Sequence, residues 1–176
     1  NFLRSKRGEF DFDLEIVPPF KLDNTRISST LIRHSLKNGD LKFAERALGY
    51  RYFISGRVCH GHKRGKEWGF PTINLNLNKF KTPLSGIFAV KVEGLSPEKL
   101  NGVGYVGSRP IISDPRFVLE VHLFGFSEIC YGKRVRVEFV KFIRGDMKFD
   151  SFDEMTKQVN LDCKNAMSIL AVDEKC

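Results

Sequence analysis

Residues 56–75 read GRVCHGHKRGKEWGFPTINL and gather most of the groups suited to phosphate chemistry. Gly56, Gly61, Gly65 and Gly69 let backbone N–H groups approach phosphate oxygens, and Lys63, Arg64 and Lys66 between them neutralise charge. No GxxxxGK[ST] occurs in the chain and no GxGxxG within residues 56–75, so this is no Walker or Rossmann loop. A solvated hairpin loop of the same composition is the competing reading. Pro71, which has no N–H to give, belongs at the start or edge of a strand. In extended backbone Thr72 and Asn74 point to one side. Their hydroxyl and amide oxygens are hard donors of the kind Mg²⁺ accepts when phosphates and water complete its octahedron, although plain turn chemistry also uses Thr and Asn. Further on, Glu120 and His122 alternate with Leu119, Val121 and Leu123. On an open face Glu120 is an ordinary exposed carboxylate; in a cleft it is a candidate general base for a hydroxyl. His60 and His62 have no nearby Cys or second His pair and read as loop and strand histidines.

Positioning these groups takes a sheet. From Tyr52 onward short apolar runs alternate with Gly and Pro, giving candidate strands at Tyr52–Cys59, Phe70–Leu75, Gly86–Val92, Gly102–Val106, Phe117–Phe124 and Arg134–Phe142. Val135, Val137 and Phe139 alternate with Arg134, Arg136 and Glu138, and the register slips after Phe139, as at a β-bulge. Six such strands predict a barrel or sandwich. Ser151 and Glu154 form a capping-box pair ahead of a helix whose apolar side carries Met155, Val159, Ala166 and Leu170. The head of the chain has another texture. Leu14–Val17 reads as a short strand ended by Pro18-Pro19. Ser28 or Ser29 caps a helix bearing Leu31, Ile32 and Leu36, closed by Asn38-Gly39. Asp40 caps a second one, stopped by Gly49.

Composition narrows the partners. The 176 residues hold 29 Lys/Arg against 21 Asp/Glu, a net charge of +8, and 41% hydrophobic residues, enough for one ordinary domain or a domain plus a fragment. Ten basic and seven acidic residues fall in 1–51, nineteen and fourteen in 52–176, so the excess is spread out and argues for polyphosphate rather than nucleic acid. No apolar run approaches the roughly 20 residues of a membrane span, and no signal-peptide pattern opens the chain. Cys59, Cys130, Cys163 and Cys176 form no CxxC and read as reduced thiols of a cytoplasmic protein.

Taken in order, GxVxHGxxRGK, GFPTIN, LEVHLFGF, CYGKRVRVEF and FIRGDMKFDS before a closing helix resemble the riboflavin kinase family, from about Tyr52 to Leu170. The resemblance implies a mainly β fold, a six-stranded antiparallel Greek-key barrel with a C-terminal helix. It implies transfer of the ATP γ-phosphate to the ribityl 5′-hydroxyl of riboflavin with Mg²⁺. Thr72 and Asn74 would then hold Mg²⁺ and the ATP phosphates. The loop from Gly61 to Gly69 would cover the nucleotide, with Gly61, Arg64, Gly65 and Lys66 as its contacts. Glu120 would be the base, Tyr131 would lie near the adenine and Arg144 near the flavin. Three positions depart from the family pattern: Trp68 for Leu, Ile73 for Ala and Tyr105 for Asn. At the head, ISSTLIR, NGD and LGYRYFISG resemble the end of the FMN adenylyltransferase domain of bacterial bifunctional FAD synthetases, whose ISSTxxR element maps to Ser28, Ser29, Thr30 and Arg33. That divides the chain into 1–50, a small α/β remnant of a nucleotidyltransferase domain, and 51–176, the kinase. The HxGH site of that domain is absent from this sequence. A non-catalytic flavin- or nucleotide-binding barrel and an RNA-binding barrel are the competing classes; Glu120 and Thr72, both present, weigh against the first, and the second would need surface-clustered aromatics and cations.

Overall fold

A computed structural model of the chain describes residues 2–61, 69–77, 82–109 and 116–174. The elements in chain order are α1 (Phe2–Lys6), β1 (Lys21–Leu22), β2 (Thr25–Arg26), α2 (Ser29–Lys37), α3 (Leu41–Leu48), β3 (Phe53–Cys59), β4 (Thr72–Asn76), β5 (Gly86–Glu93), β6 (Leu100–Arg109), β7 (Arg116–Leu123), β8 (Arg134–Arg144) and α4 (Phe152–Asp173). Strands β3 to β8 close into an antiparallel barrel in the order β3-β4-β7-β6-β5-β8. Pairing of β4 with β7, across two intervening strands in sequence, gives the Greek-key connectivity that the resemblance implied.

Alternation sorts each strand into two faces. Ile73, Leu75, Phe88, Val90, Val106, Leu119, Val121, Val137 and Phe139 point inward and are almost wholly buried. Each contributes roughly 1.5–3 kcal/mol on burial. Leu36, Leu41 and Ala44 of α2 and α3 belong to the same cluster, so the two helices cap the barrel core. On the outer face a second cluster forms where Ala89 and Val103 meet Cys163, Ala166 and Leu170 of α4. Strand β8 serves both clusters through irregularities in its pairing with β5. Val90 pairs with Phe139 but Ala89 with Lys141, leaving Val140 as an extra residue; likewise Phe88 pairs with Phe142 but Ile87 with Arg144, leaving Ile143. The bulges keep Phe139 and Phe142 against the interior and turn Val140 and Ile143 toward the helix. The first was expected from the slip after Phe139; the second was not.

Caps follow the sequence closely. Ser28 accepts from the Leu31 N–H and Asp40 from the Phe43 N–H, while Gly49 stops α3 at φ 79°. Ser151 accepts from the Glu154 N–H at 3.2 Å. The Glu154 side chain reaches the Asp150 N–H at 3.2 Å rather than that of Ser151, so the capping box is shifted by one residue. The head of the chain corrects one expectation. Leu14–Val17 is not a strand: among the described residues no segment pairs with it, and Ile16 and Val17 are exposed. The short pair β1–β2 forms instead, turned by Asp23 and Asn24 at φ 48° and 63°, the left-handed geometry of a two-residue hairpin.

Helix α4 ends on acidic Asp173 and has no basic residue in its last turn, which opposes the helix dipole. Arg51 and Lys91 supply the missing charge from outside. Arg51 binds both Asp173 oxygens at 2.8 and 2.7 Å, and the Lys91 ammonium lies 2.8 Å from Oδ2. The Arg51 hydrogen bonds hold the Asp173 carboxyl below its usual range. The helix is thereby fixed across the barrel, 22 residues or about 33 Å long.

Candidate active site

One register row runs across five strands on the outer face of the barrel. Asn74 of β4 pairs with Glu120 of β7, Glu120 with Tyr105 of β6, Tyr105 with Ile87 of β5, and Ile87 with Arg144 of β8. Adjacent strands lie about 4.8 Å apart, so the row extends about 19 Å. Thr72, His122 and Val103 form the neighbouring row. All of these side chains line a single cavity of about 650 Å³ between the sheet, α4 and the 126–131 connection. Such a volume matches an ordinary small-molecule site.

Polarity changes along it. At the β4 end the Asn74 amide donates through Nδ2 to the Thr72 carbonyl at 3.2 Å and approaches Thr72 Oγ1 at 3.4 Å. The backbone of Gly61 lies flat against that amide: a Cβ there would sit 2.5 Å from Nδ2 and 2.7 Å from Oδ1. The Cys59 thiol donates to the Asn74 carbonyl at 3.2 Å. His122 Nδ1 lies 2.9 Å from the Pro71 carbonyl, and its ring meets Phe70 and Phe124 edge-on. These contacts fix the start of β4, whose first residue follows Pro71 as expected. At the other end Ile87, Val103, Met155 and Val159 make the wall apolar. Tyr131 stacks on His60, ring centroids 3.9 Å apart, at the cavity rim.

Arg144 does not project freely into the cavity. Its guanidinium is held by Asp162 of α4, with Nε 3.0 Å from Oδ1 and Nη2 2.6 Å from Oδ2, and Nη1 donates to the Gly145 carbonyl at 2.9 Å. Gln158 donates to Asp162 Oδ1 at 2.9 Å. Asp162 is only 2% exposed, so the pair is a built feature rather than a surface contact.

Of the residues singled out from sequence, Gly61, Thr72, Asn74, Glu120, Tyr131 and Arg144 all line this cavity. Arg64, Gly65 and Lys66, with His62 and Trp68, lie outside the described residues. Sequence reasoning missed His122, Tyr105 and Asp162 as members of the site. Two signals were present. His122 stands two residues from Glu120 and so shares its face. Asp162 falls on the apolar side of α4, three residues after Val159 and four before Ala166, and a carboxylate in an apolar stripe demands a buried partner.

Among the described residues no group of three or more His, Cys, Asp or Glu gathers for a metal. Thr72 Oγ1 and Asn74 Oδ1 offer two neutral hard oxygens, an incomplete shell. That donor set suits Mg²⁺ carried in with phosphates, which keeps several outside ligands, and not a metal held by protein alone.

The flavokinase profile, described as riboflavin kinase, matches residues 48–170. The bifunctional riboflavin kinase/FMN adenylyltransferase of Haemophilus influenzae is 46% identical over 93% of this chain and 53% of its own length; that of Escherichia coli K12 is 40% identical over 91% and 51%. The crystal structure of a macrolide-efflux protein from Streptococcus pneumoniae superposes with a TM-score of 0.74 at 34% identity, over 90% of this chain and 52% of that one. This chain thus spans about half the length of the curated relatives it matches. No helix among the described residues is long and apolar enough to cross a membrane. With the family profile covering the whole barrel and α4 up to Leu170, the chain belongs to the riboflavin kinase family.

Proposed function

We propose that this chain transfers the γ-phosphate of ATP to the ribityl 5′-hydroxyl of riboflavin, giving FMN and ADP. The observation that carries the reading is the row itself: Glu120 stands between a polar end, Thr72 and Asn74, and an apolar end, with Tyr105 and Ile87 next along the sheet. A phosphate donor fits the first end and an aromatic acceptor the second, which leaves the acceptor hydroxyl beside the carboxylate.

Thr72 Oγ1 and Asn74 Oδ1 would bind Mg²⁺ and the ATP phosphates; when bound, the metal neutralises phosphate charge and aligns the γ-phosphoryl group. Gly61 keeps Asn74 in place. By the family resemblance Arg64, Gly65 and Lys66 would contact the phosphates, and Tyr131 would sit by the adenine. Glu120 accepts the proton of the 5′-hydroxyl as its oxygen bonds to the γ-phosphorus and the bond to the β–γ bridging oxygen breaks. Alignment and charge neutralisation carry most of the barrier lowering in such transfers. Arg144, oriented by Asp162, lies toward the flavin. Riboflavin and ATP are the partners of this reading, with no nucleic acid or membrane partner, in the cytoplasm.

Residues 1–50 are read as the end of an adenylyltransferase domain and 51–176 as the kinase. A second activity, adenylylation of FMN to FAD, belongs to the full-length bifunctional relatives by name, and we extend it only to a longer protein of which this chain would be the kinase half. Incubation with riboflavin, γ-labelled ATP and Mg²⁺, followed by chromatography, tests both readings. Label in FMN and no FAD peak is the expected result; folded protein that forms no FMN with any divalent metal overturns the kinase reading.

A further inference from the structure

We propose that Tyr105 determines acceptor specificity: its phenol is the surface on which the riboflavin end of the transfer is seated. The inference rests on the kinase reading above and deepens it.

Tyr105 follows Glu120 in the register row, on the side away from Asn74. In an in-line transfer the donor phosphates, the phosphorus and the attacking oxygen lie in sequence. With the phosphate-binding oxygens at Asn74 and Thr72 and the base at Glu120, the body of the acceptor extends past Glu120, over Tyr105 and Ile87 and toward Arg144. Those three residues pair in that order and all line the cavity.

The side chain has been given a seat. Residues 105 and 107 lie on one face of β6, and a Cβ at Gly107 would come within 2.2 Å of the Tyr105 hydroxyl oxygen and 2.5 Å of Cζ. The phenol therefore lies down along its own strand over a glycine, instead of standing up into the cavity. A ring laid flat on the floor leaves room above it and presents an aromatic surface to a planar or polyol acceptor. Any side chain at 107 would lift the ring into that space.

Steady-state kinetics of FMN formation with both substrates varied separately test this, beside riboflavin binding followed by quenching of flavin fluorescence without ATP. Tyr105→Ala is expected to raise the KM and Kd for riboflavin about five- to tenfold, the scale of one aromatic contact. Tyr105→Phe keeps the ring and is expected to raise the riboflavin KM less than Tyr105→Ala does. Gly107→Ala keeps the phenol but displaces it, and is expected to raise the riboflavin KM like Tyr105→Ala. In all three the KM for ATP stays within about twofold, since the residue lies on the acceptor side. An unchanged riboflavin KM and Kd in both Tyr105→Ala and Gly107→Ala, or an ATP KM that rises as much as that for riboflavin, overturns the proposal while leaving the kinase reading intact. Absence of FMN from the wild type removes the kinase reading, and the proposal falls with it.

Discussion

At the residue scale the site depends on small contacts between backbone and side chain. Gly61 is a clear case. Nothing in its φ requires glycine, yet the Asn74 amide occupies the space where a Cβ would sit. Gly61→Ala must move either the loop or Asn74. A misplacement of about 1 Å costs on the order of a hundredfold in such geometry, so kcat/KM for FMN formation is expected to fall by about ten- to a hundredfold with little change in thermal stability. A melting curve and initial rates check this together. The thiols differ as sharply. Burial pushes the Cys163 thiol up to about 11, and it also raises that of Cys130. Cys163 carries almost no thiolate at pH 8, and Cys130 is buried. Mass spectrometry after brief iodoacetamide treatment of the native protein is expected to leave both unmodified, and modification of Cys163 before unfolding contradicts its placement on the face of α4 packed against the sheet.

At the scale of elements, the closing helix is held at its two ends by different means. The Ser151 cap starts it, and Arg51 with Lys91 anchors Asp173 at the far end. The charged hydrogen bonds are worth about 1–2 kcal/mol on a partly exposed pair. Arg51→Ala is expected to lower the melting temperature by about 3–6 °C. The pH dependence has a definite sign. The Asp173 carboxyl titrates lower in the folded chain than in the unfolded one because Arg51 hydrogen-bonds its ionised form. Its contribution is therefore whole above about pH 4 and is lost as pH falls below that value. Wild type and Arg51→Ala are expected to converge in melting temperature at the acid end; a constant gap down to pH 3 contradicts the assignment. Strand and helix positions were largely legible because period-2 alternation and cap residues are local signals. The second bulge at Ile143 was not, since it is set by what α4 requires of β8. Leu14–Val17 looked like a strand by its apolar content, but a strand exists only where another segment pairs with it. The Asp23-Asn24 turn was passed over because neither residue is glycine.

At the scale of the molecule, the barrel interior supplies rigidity and its outer face supplies the site. The motifs PTIN and LEVHL are distant in sequence, and their juxtaposition comes from the crossover that pairs β4 with β7. Sequence alone offered Thr72, Asn74 and Glu120 as candidates by residue type and spacing, and the family resemblance supplied their expected roles. It did not reveal that Asn74, Glu120, Tyr105, Ile87 and Arg144 share one row, because register between strands is a tertiary property. Nor did it show Arg144 paired with Asp162, which makes the helix part of the site's wall. Glu120, at the junction of the polar and apolar ends of that row, is the proposed general base of the transfer. The rate of FMN formation by Glu120→Gln at saturating riboflavin, ATP and Mg²⁺ tests it most directly. A kcat reduced by about a hundredfold or more, with riboflavin binding retained, is the expected result. A variant that makes FMN within about threefold of the wild-type rate contradicts it, for then the proton leaves by another route.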